Sequence, residues 1–168
     1  MIDLVRLRVK PLENYQYPAW QTTIFVVLYG LIGGAEASGL GGNLLGRIGL
    51  YVVFSWLHLK LVARFMVFWL GLFKRKLTYP LFGLLVACNG IGILSPLTSW
   101  LPEDVGLAAT IALAFIGLLV TVNAIAKVGG VTRIKVFLGA LVAGMLVVLL
   151  FMVEVLIEVG LGWISLPR

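Results

Sequence analysis

Five charged residues lie within or beside long apolar runs of the sequence, where an ionised side chain is costly. Lys60 and Arg64 fall in the second apolar run, Glu154 and Glu158 lie near the end of the last one, and Glu36 follows the first. A lone Lys or Arg at the centre of a membrane helix costs roughly 2.5–3.5 kcal/mol. These charges therefore point to a structural ion pair that fixes helix packing, or to a site for an ion, a proton or an anionic headgroup.

The spacing of these residues favours pairing between neighbouring helices. Lys60 and Arg64 share one helix face because they are four residues apart. Side chains lean toward the N-terminus of their helix, so Lys60 and Glu154 on antiparallel helices lean toward each other. We predict that Lys60 or Arg64 contacts Glu154, Glu158 or Glu36 in the bundle interior. The remaining alternative is a helix break near Lys60 that lets the cations reach water.

No residues have the spacing of a catalytic or metal site. The single histidine, His58, excludes an HExxH zinc motif and bis-histidine haem ligation within the chain. There is no GxSxG serine elbow, and Cys88 is the only cysteine. We expect no enzyme activity, metal or cofactor. We interpret Asn89 and Asn123 as hydrogen-bonding contacts between helices, and His58 as a hydrogen-bonding or interfacial residue.

The composition excludes a soluble domain. Of 168 residues, 61% are hydrophobic and 12% are charged, whereas a soluble domain has about 25% charged residues. The net charge of +6 is spread in small groups between apolar runs. That pattern indicates membrane topology and contact with anionic headgroups of the bilayer, and argues against nucleic-acid binding.

The apolar runs predict an all-α polytopic bundle. A segment over residues 1–17 lies at the cytoplasmic membrane surface, and residues 18–168 form one transmembrane domain. Its five predicted spans cover residues 19–35, 48–73, 80–101, 106–126 and 134–159. The third span is expected to kink near Ser95–Pro96 because proline interrupts helical hydrogen bonding.

The Lys and Arg residues predict the orientation of the chain. Nine of them lie in the N-terminal segment and in the loops after spans 2 and 4, against two on the other side. This bias places the N-terminus in the cytoplasm and the C-terminus outside, by the positive-inside rule.

Small residues on two spans predict close helix packing. Gly30 and Gly34 form a GxxxG pair on the first span. The last span carries two overlapping small-xxx-small pairs, made by Gly139, Ala140, Ala143 and Gly144. Such faces let helix backbones approach closely. We expect them to contact other membrane-protein subunits or a second copy of the chain.

The five-span layout resembles the Yip family of membrane proteins, in its bacterial form. The similar segments are YPAW (17–20), KRKLTYP (74–80) and the hairpin NAIAKVGGVTRIKVFLGAL (123–141). The resemblance covers most of the chain after residue 17. It implies a bacterial cytoplasmic (inner) membrane protein with a membrane-shaping, scaffolding or accessory role and no established catalysis.

Two functions follow from the sequence. The first is a non-catalytic accessory, scaffold or assembly subunit of a larger membrane complex. The alternative is a small transporter or an ion- or proton-conducting protein that uses the intramembrane charges of spans 2 and 5. A dry, fully paired charge cluster with an exposed Gly/Ala face would favour the subunit, whereas a helix-lined cavity that reaches the charges would favour transport.

Overall fold

The computed structural model describes residues 2–36, 43–74 and 77–163, which are helical for most of their length and contain no strand. The helices are α1 (Ile2–Val5), α2 (Ala19–Glu36), α3 (Leu44–Gly71), α4 (Phe82–Asn89), α5 (Glu103–Gly129) and α6 (Arg133–Gly160), with 3₁₀ segments at Leu12–Tyr15 and Gly90–Trp100.

Four helical segments are long and apolar enough to cross a membrane. They are α3, α4 with its 3₁₀ continuation, α5 and α6, while α2 is a shorter apolar helix. The predictions of an all-α fold and an integral membrane protein are confirmed to this extent.

α4 lies at the centre of the bundle. Every residue from Gly83 to Cys88 is buried, and α4 contacts α2, α3 and α5. Its sequence is apolar on all sides, as expected for a helix surrounded by others. Around it, α2 packs along α3, α6 packs along another side of α3, and α5 packs against the Gly90–Trp100 segment.

The glycine pair of α2 is used inside the chain. A Cβ atom added at Gly30 would lie 2.6 Å from the Cα of Val52, and one at Gly34 would lie 2.9 Å from the Cα of Ile48. The predicted close backbone approach is confirmed, and the neighbour is α3. This face is therefore not free to contact another subunit.

The predicted kink at Ser95–Pro96 is a change of helix type that begins earlier, at Gly90. Gly90 and Gly92 weaken the α-helix, and Pro96 has no N–H and would clash with the carbonyl of Gly92 in an α-helix. The 3₁₀ helix rises about 2.0 Å per residue against about 1.5 Å in an α-helix, so Phe82–Trp100 extends roughly 34 Å and can cross a bilayer core of about 30 Å.

The N-terminal segment (residues 2–16) folds against one end of the bundle. Leu4, Leu12 and Tyr15 are buried in the core. At the end of α5, the Lys127 Nζ donates a hydrogen bond to the carbonyl oxygen of Leu7 at 2.9 Å. This end of the bundle also holds the turn between α5 and α6, where Gly130 has a φ of 59° that favours glycine.

Candidate functional site

Lys60 and Arg64 lie on the outer surface of α3. α3 buries a face that includes Leu59 and Ala63. Lys60 and Arg64 directly follow these two residues and so lie about 100° further round the helix, away from the buried face. Both cationic side chains are exposed, and neither has a carboxylate within 4.0 Å among the described residues. The Nζ of Lys60 instead lies 5.2 Å from the ring centroid of Trp56. The predicted pairing of Lys60 or Arg64 with Glu154 or Glu158 is therefore not seen. Pairing with Glu36, whose side chain lies outside the described part of the chain, stays a prediction.

The length of α3 explains why Arg64 needs no buried partner. Its 28 residues extend roughly 42 Å, which exceeds a hydrocarbon core of about 30 Å. Arg64 lies about 10 Å before the end of the helix at Gly71. Long cationic side chains in such positions reach the headgroup region while their stems stay in the apolar layer.

The buried cation of the structure is Arg47. It lies in the first turn of α3, is fully buried, and places its Nε 3.7 Å from the Oε1 of Glu158 on α6. The indole of Trp163 covers this end, because a Cβ at Gly46 would lie 2.7 Å from its Cη2. Arg47 and Glu158 therefore form an ion pair that is shielded from solvent.

The predicted second span begins at residue 48, which leaves Arg47 in the preceding connector. The signal for the earlier start is Asn43, whose side chain accepts a hydrogen bond from the backbone N–H of Gly46 at 3.1 Å. Asparagine is a preferred residue at this capping position. Recognising this cap would have placed Arg47 inside the helix.

Glu154 is the second buried carboxylate of α6. It lies one turn before Glu158 and is 1% exposed. Its Oε1 has no hydrogen-bond partner, and no described Lys, Arg or His lies within 4.0 Å of its carboxylate. The side chain of Glu36, predicted to join this group, lies outside the described part of the chain. Glu154 therefore adds a second acidic group to the bundle interior, one turn from the Arg47–Glu158 pair.

Glu154 faces a cavity of about 570 Å³, which we call the Glu154 cavity. All five apolar helical segments contribute to its wall. The polar or titratable lining residues are Tyr29, Tyr51, Ser55, His58, Cys88, Asn89, Ser95, Thr110, Thr121 and Glu154, and the rest of the wall is apolar or glycine. A few polar groups in a mostly apolar concave wall are typical of small-molecule sites, and the volume is within their usual range of about 300–1,000 Å³.

His58 lines the Glu154 cavity near the middle of α3. Its Nε2 is buried and has no hydrogen-bond partner among the described residues. Its imidazole ring contacts the ring of Phe54 edge to face, with centroids 6.2 Å apart. The predicted hydrogen bond of His58 is therefore not seen at Nε2. This nitrogen can form a hydrogen bond with a molecule bound in the cavity.

The two asparagines have different surroundings. The Nδ2 of Asn89 donates to the carbonyl oxygen of Leu85 at 2.9 Å, within its own helix, so the predicted interhelical bond of this amide is not seen. The Nδ2 of Asn123 donates to the carbonyl oxygen of Leu7 at 3.4 Å. Asn89 lines the Glu154 cavity, whereas Asn123 ties α5 to the N-terminal segment.

The exposed residues of the cavity wall belong to α5 and α6, and we call this part of the wall its opening. Thr110 and Ala114 of α5 and Phe151 of α6 line the cavity and are also exposed. These two helices are the least buried of the four long apolar segments. In a membrane, the opening would face the acyl chains of the bilayer.

The small residues of α6 are mostly used for packing within the chain. A Cβ at Gly139 would lie 2.6 Å from the Cδ1 of Trp69, and the indole Nε1 of Trp69 donates to the carbonyl oxygen of Lys135 at 2.8 Å. Ala143 is buried and Ala140 is half-buried against the core. At Gly144, nothing lies within 4 Å of an added Cβ. Of the four small residues predicted to contact a partner, Gly144 is therefore the one that does not pack against the rest of the chain.

Among the residues that the structure describes, no group of three or more His, Cys, Asp and Glu side chains could hold a metal ion. The described lining of the Glu154 cavity contains one carboxyl group, which can bind a proton or a monovalent cation.

Comparison of the chain with family models, with curated proteins and with solved structures finds no match. The resemblance to the Yip family stays a prediction.

Proposed function

We propose that the chain is a small proton-coupled transporter and that the Glu154 cavity is its substrate site. One observation carries this proposal. Glu154 is fully buried next to an open cavity of about 570 Å³, and no described cation lies within 4.0 Å of its carboxylate. An isolated ionised carboxylate in such surroundings is far too costly to persist. The group must hold a proton or a cation, and exchange between the two is the elementary step of coupled transport.

The proposed threading has five spans with a cytoplasmic N-terminus and an outside C-terminus, in a bacterial cytoplasmic membrane. α2 is the fifth span, and its 18 residues extend roughly 27 Å, close to the thickness of the bilayer core. Lys74, Lys127 and Arg133 would lie on the cytoplasmic side with the N-terminal segment. Arg47 is one of the two Lys and Arg residues assigned to the outer side. Because it is buried inside the bundle, it no longer counts against the excess of positive charge on the cytoplasmic side.

With this threading, the Glu154 cavity lies toward the outer half of the membrane. Glu154 is six residues before the outer end of α6, or about 9 Å along its axis. His58 lies about 21 Å from the outer end of α3, near the bilayer centre. A bound proton or solute would therefore sit part of the way across the hydrophobic barrier.

The Gly90–Trp100 segment supplies an element that can move. It contributes Ile91, Gly92 and Ser95 to the cavity wall, and a 3₁₀ stretch within a span often marks a hinge. The ring of Tyr29 packs against Gly92, where an added Cβ would lie 2.9 Å from its Cε2. We infer that this contact closes the cavity on one side in the observed state and loosens in another.

The accessory-subunit function that the sequence favoured has less support. It depended on exposed small-residue faces and a dry, paired charge cluster. Gly30, Gly34, Gly139 and Ala143 instead pack within the chain, and Glu154 is unpaired beside a cavity.

Glu154→Gln is expected to abolish proton uptake, because glutamine keeps the size of the side chain and cannot exchange a proton. The measurement uses proteoliposomes that are loaded with a monovalent cation (Na⁺, K⁺ or tetraphenylphosphonium, in separate preparations) and diluted into buffer without it. A pH-sensitive dye inside the vesicles reports the uptake of protons in exchange for the departing cation. Wild-type vesicles should acidify faster than protein-free vesicles, and Glu154→Gln vesicles should match the protein-free ones. Lys60→Met, a charge removal on the exposed face of α3, is the control and should match the wild type. Equal rates for wild type and Glu154→Gln would refute the proposal.

A further inference from the structure

We infer, building on the proposed function, that the substrate is a lipophilic organic cation that reaches the Glu154 cavity from the bilayer, between α5 and α6. Binding of the cation releases the proton of the Glu154 carboxyl group. The charge of the site is then the same before and after exchange, because the carboxylate pairs first with a proton and then with the cation.

The charge of the cavity favours a cation. The titratable groups that line it are Tyr29 from α2, Tyr51 and His58 from α3, Cys88 from α4 and Glu154 from α6, and α5 contributes none. Among them, Glu154 is the one carboxylic acid, and it can therefore give up a proton and pair with a cation. No described Lys or Arg lines the cavity, and the buried cation Arg47 pairs with Glu158. An anionic substrate would meet a carboxylate without a counter-charge, which is unfavourable in an apolar site.

The wall of the cavity favours an aromatic or aliphatic body on that cation. Phe54, Tyr29, Tyr51 and Phe151 supply four aromatic rings, and the faces of such rings attract organic cations. Inorganic ions would need several oxygen ligands instead. The described lining offers one carboxylate with hydroxyl and amide groups spread over several helices, and no metal-binding cluster.

The position of the opening favours access from the membrane. Thr110, Ala114 and Phe151 are both cavity-lining and exposed, and they belong to the two least buried spans. At the Arg47 end, the ion pair with Glu158 and the indole of Trp163 cover the bundle. A molecule that first partitions into the acyl chains can pass between α5 and α6 without crossing that cover.

The first experiment measures binding of tetraphenylphosphonium, a lipophilic monovalent cation, to the purified full chain in detergent by equilibrium dialysis. We expect saturable binding by the wild type, with a proton released for each cation bound in a weakly buffered solution. Glu154→Gln should weaken binding at least about tenfold and abolish proton release, because loss of a buried charge partner is costly. Glu103→Gln, which alters an exposed acid at the start of α5, should leave both unchanged.

The second experiment tests the route. Ala114 and Ala112 are both exposed on α5, but only Ala114 lines the cavity. Ala114→Phe should reduce binding several-fold and Ala112→Phe should not. Ala114→Cys and Ala112→Cys give the same comparison in chains that have already folded. Each is made together with Cys88→Ala, because Cys88 also lines the cavity, and is blocked with a bulky thiol reagent after purification. Equal binding by the blocked Ala114→Cys and Ala112→Cys proteins would refute access between α5 and α6.

The two proposals fail in different ways. If the wild type binds no tetraphenylphosphonium, or Glu154→Gln binds it equally well, the substrate inference is wrong. Proton uptake that depends on Glu154 would then still support the transporter. If the cation binds with release of the Glu154 proton but wild-type vesicles take up no protons, the site inference is right and the transport function is wrong.

Discussion

Replacing Arg47 with methionine is expected to lower the free energy of unfolding by about 3–5 kcal/mol, the usual cost of removing one partner from a buried ion pair. The side chain is fully buried and its Nε lies 3.7 Å from the Oε1 of Glu158. Methionine fills a similar volume, so the main loss is the charge. Glu158 would then remain buried one turn from a second acid, Glu154, without the cation that faces it.

The measurement is thermal or denaturant unfolding of the purified protein in detergent, followed by loss of the monodisperse chromatographic peak. Arg64→Met is the matched control, because Arg64 is exposed on the same helix and forms no ion pair with any described residue. The double variant Arg47→Met/Glu158→Met should recover much of the lost stability, since an apolar pair can replace a buried ion pair. Equal losses in Arg47→Met and Arg64→Met would contradict the assignment of the buried pair.

Gly30→Ala is expected to destabilise the protein by about 1–3 kcal/mol, the usual cost of overpacking. The added Cβ would lie 2.6 Å from the Cα of Val52, so α2 and α3 would have to separate. Gly49→Ala on α3 is the control, because nothing lies within 4 Å of its added Cβ. This second change should stabilise the protein slightly, since alanine is favoured over glycine in a helix by roughly 0.5–1 kcal/mol.

The two alanine variants are therefore predicted to shift the unfolding midpoint in opposite directions. Both add one methyl group to a helical glycine, so any general effect of the substitution cancels in the comparison. A Gly30→Ala protein as stable as Gly49→Ala would show that α2 and α3 are further apart than the structure has them.

The helices and their close glycine contacts could be predicted from the sequence because both depend on local patterns. Long apolar runs indicate membrane helices, and the GxxxG pair Gly30–Gly34 indicates close approach whatever the neighbour is. The neighbour itself, α3, follows from the tertiary arrangement. For the same reason the sequence could not show that this face is used internally.

The direction in which each helix face points was harder to predict. In a soluble helix the apolar stripe marks the core, but α3 is apolar on nearly all sides, so periodicity does not distinguish lipid from protein. We therefore assumed that Lys60 and Arg64 pointed inward because ionised groups are costly in lipid. The structure turns them outward and buries Arg47 instead. Glu154 has no ion pair with a described residue because Lys60 and Arg64 point outward and Arg47 contacts Glu158 instead.

Irregular and long-range features were also beyond the sequence pattern. Pro96 predicts a disturbance, but the 3₁₀ segment begins at Gly90 because the glycines have already weakened the α-helix. Contacts such as that between Lys127 and the Leu7 carbonyl oxygen join residues far apart in the chain. The cavity arises from the way α5 and α6 pack against their other neighbours, which no local motif encodes.

Labelling by dicyclohexylcarbodiimide tests the central claim most directly. This apolar reagent reacts with protonated carboxyl groups that it can reach from the membrane, and mass spectrometry of peptides locates the adduct. Treatment of the wild-type protein in native membranes should label Glu154, which is unpaired beside an open cavity, and should spare Glu158, which is paired with Arg47. Glu154→Gln should remove the label. Failure to label Glu154, or equal labelling of both acids, would contradict a protonated, membrane-accessible carboxyl group in the cavity.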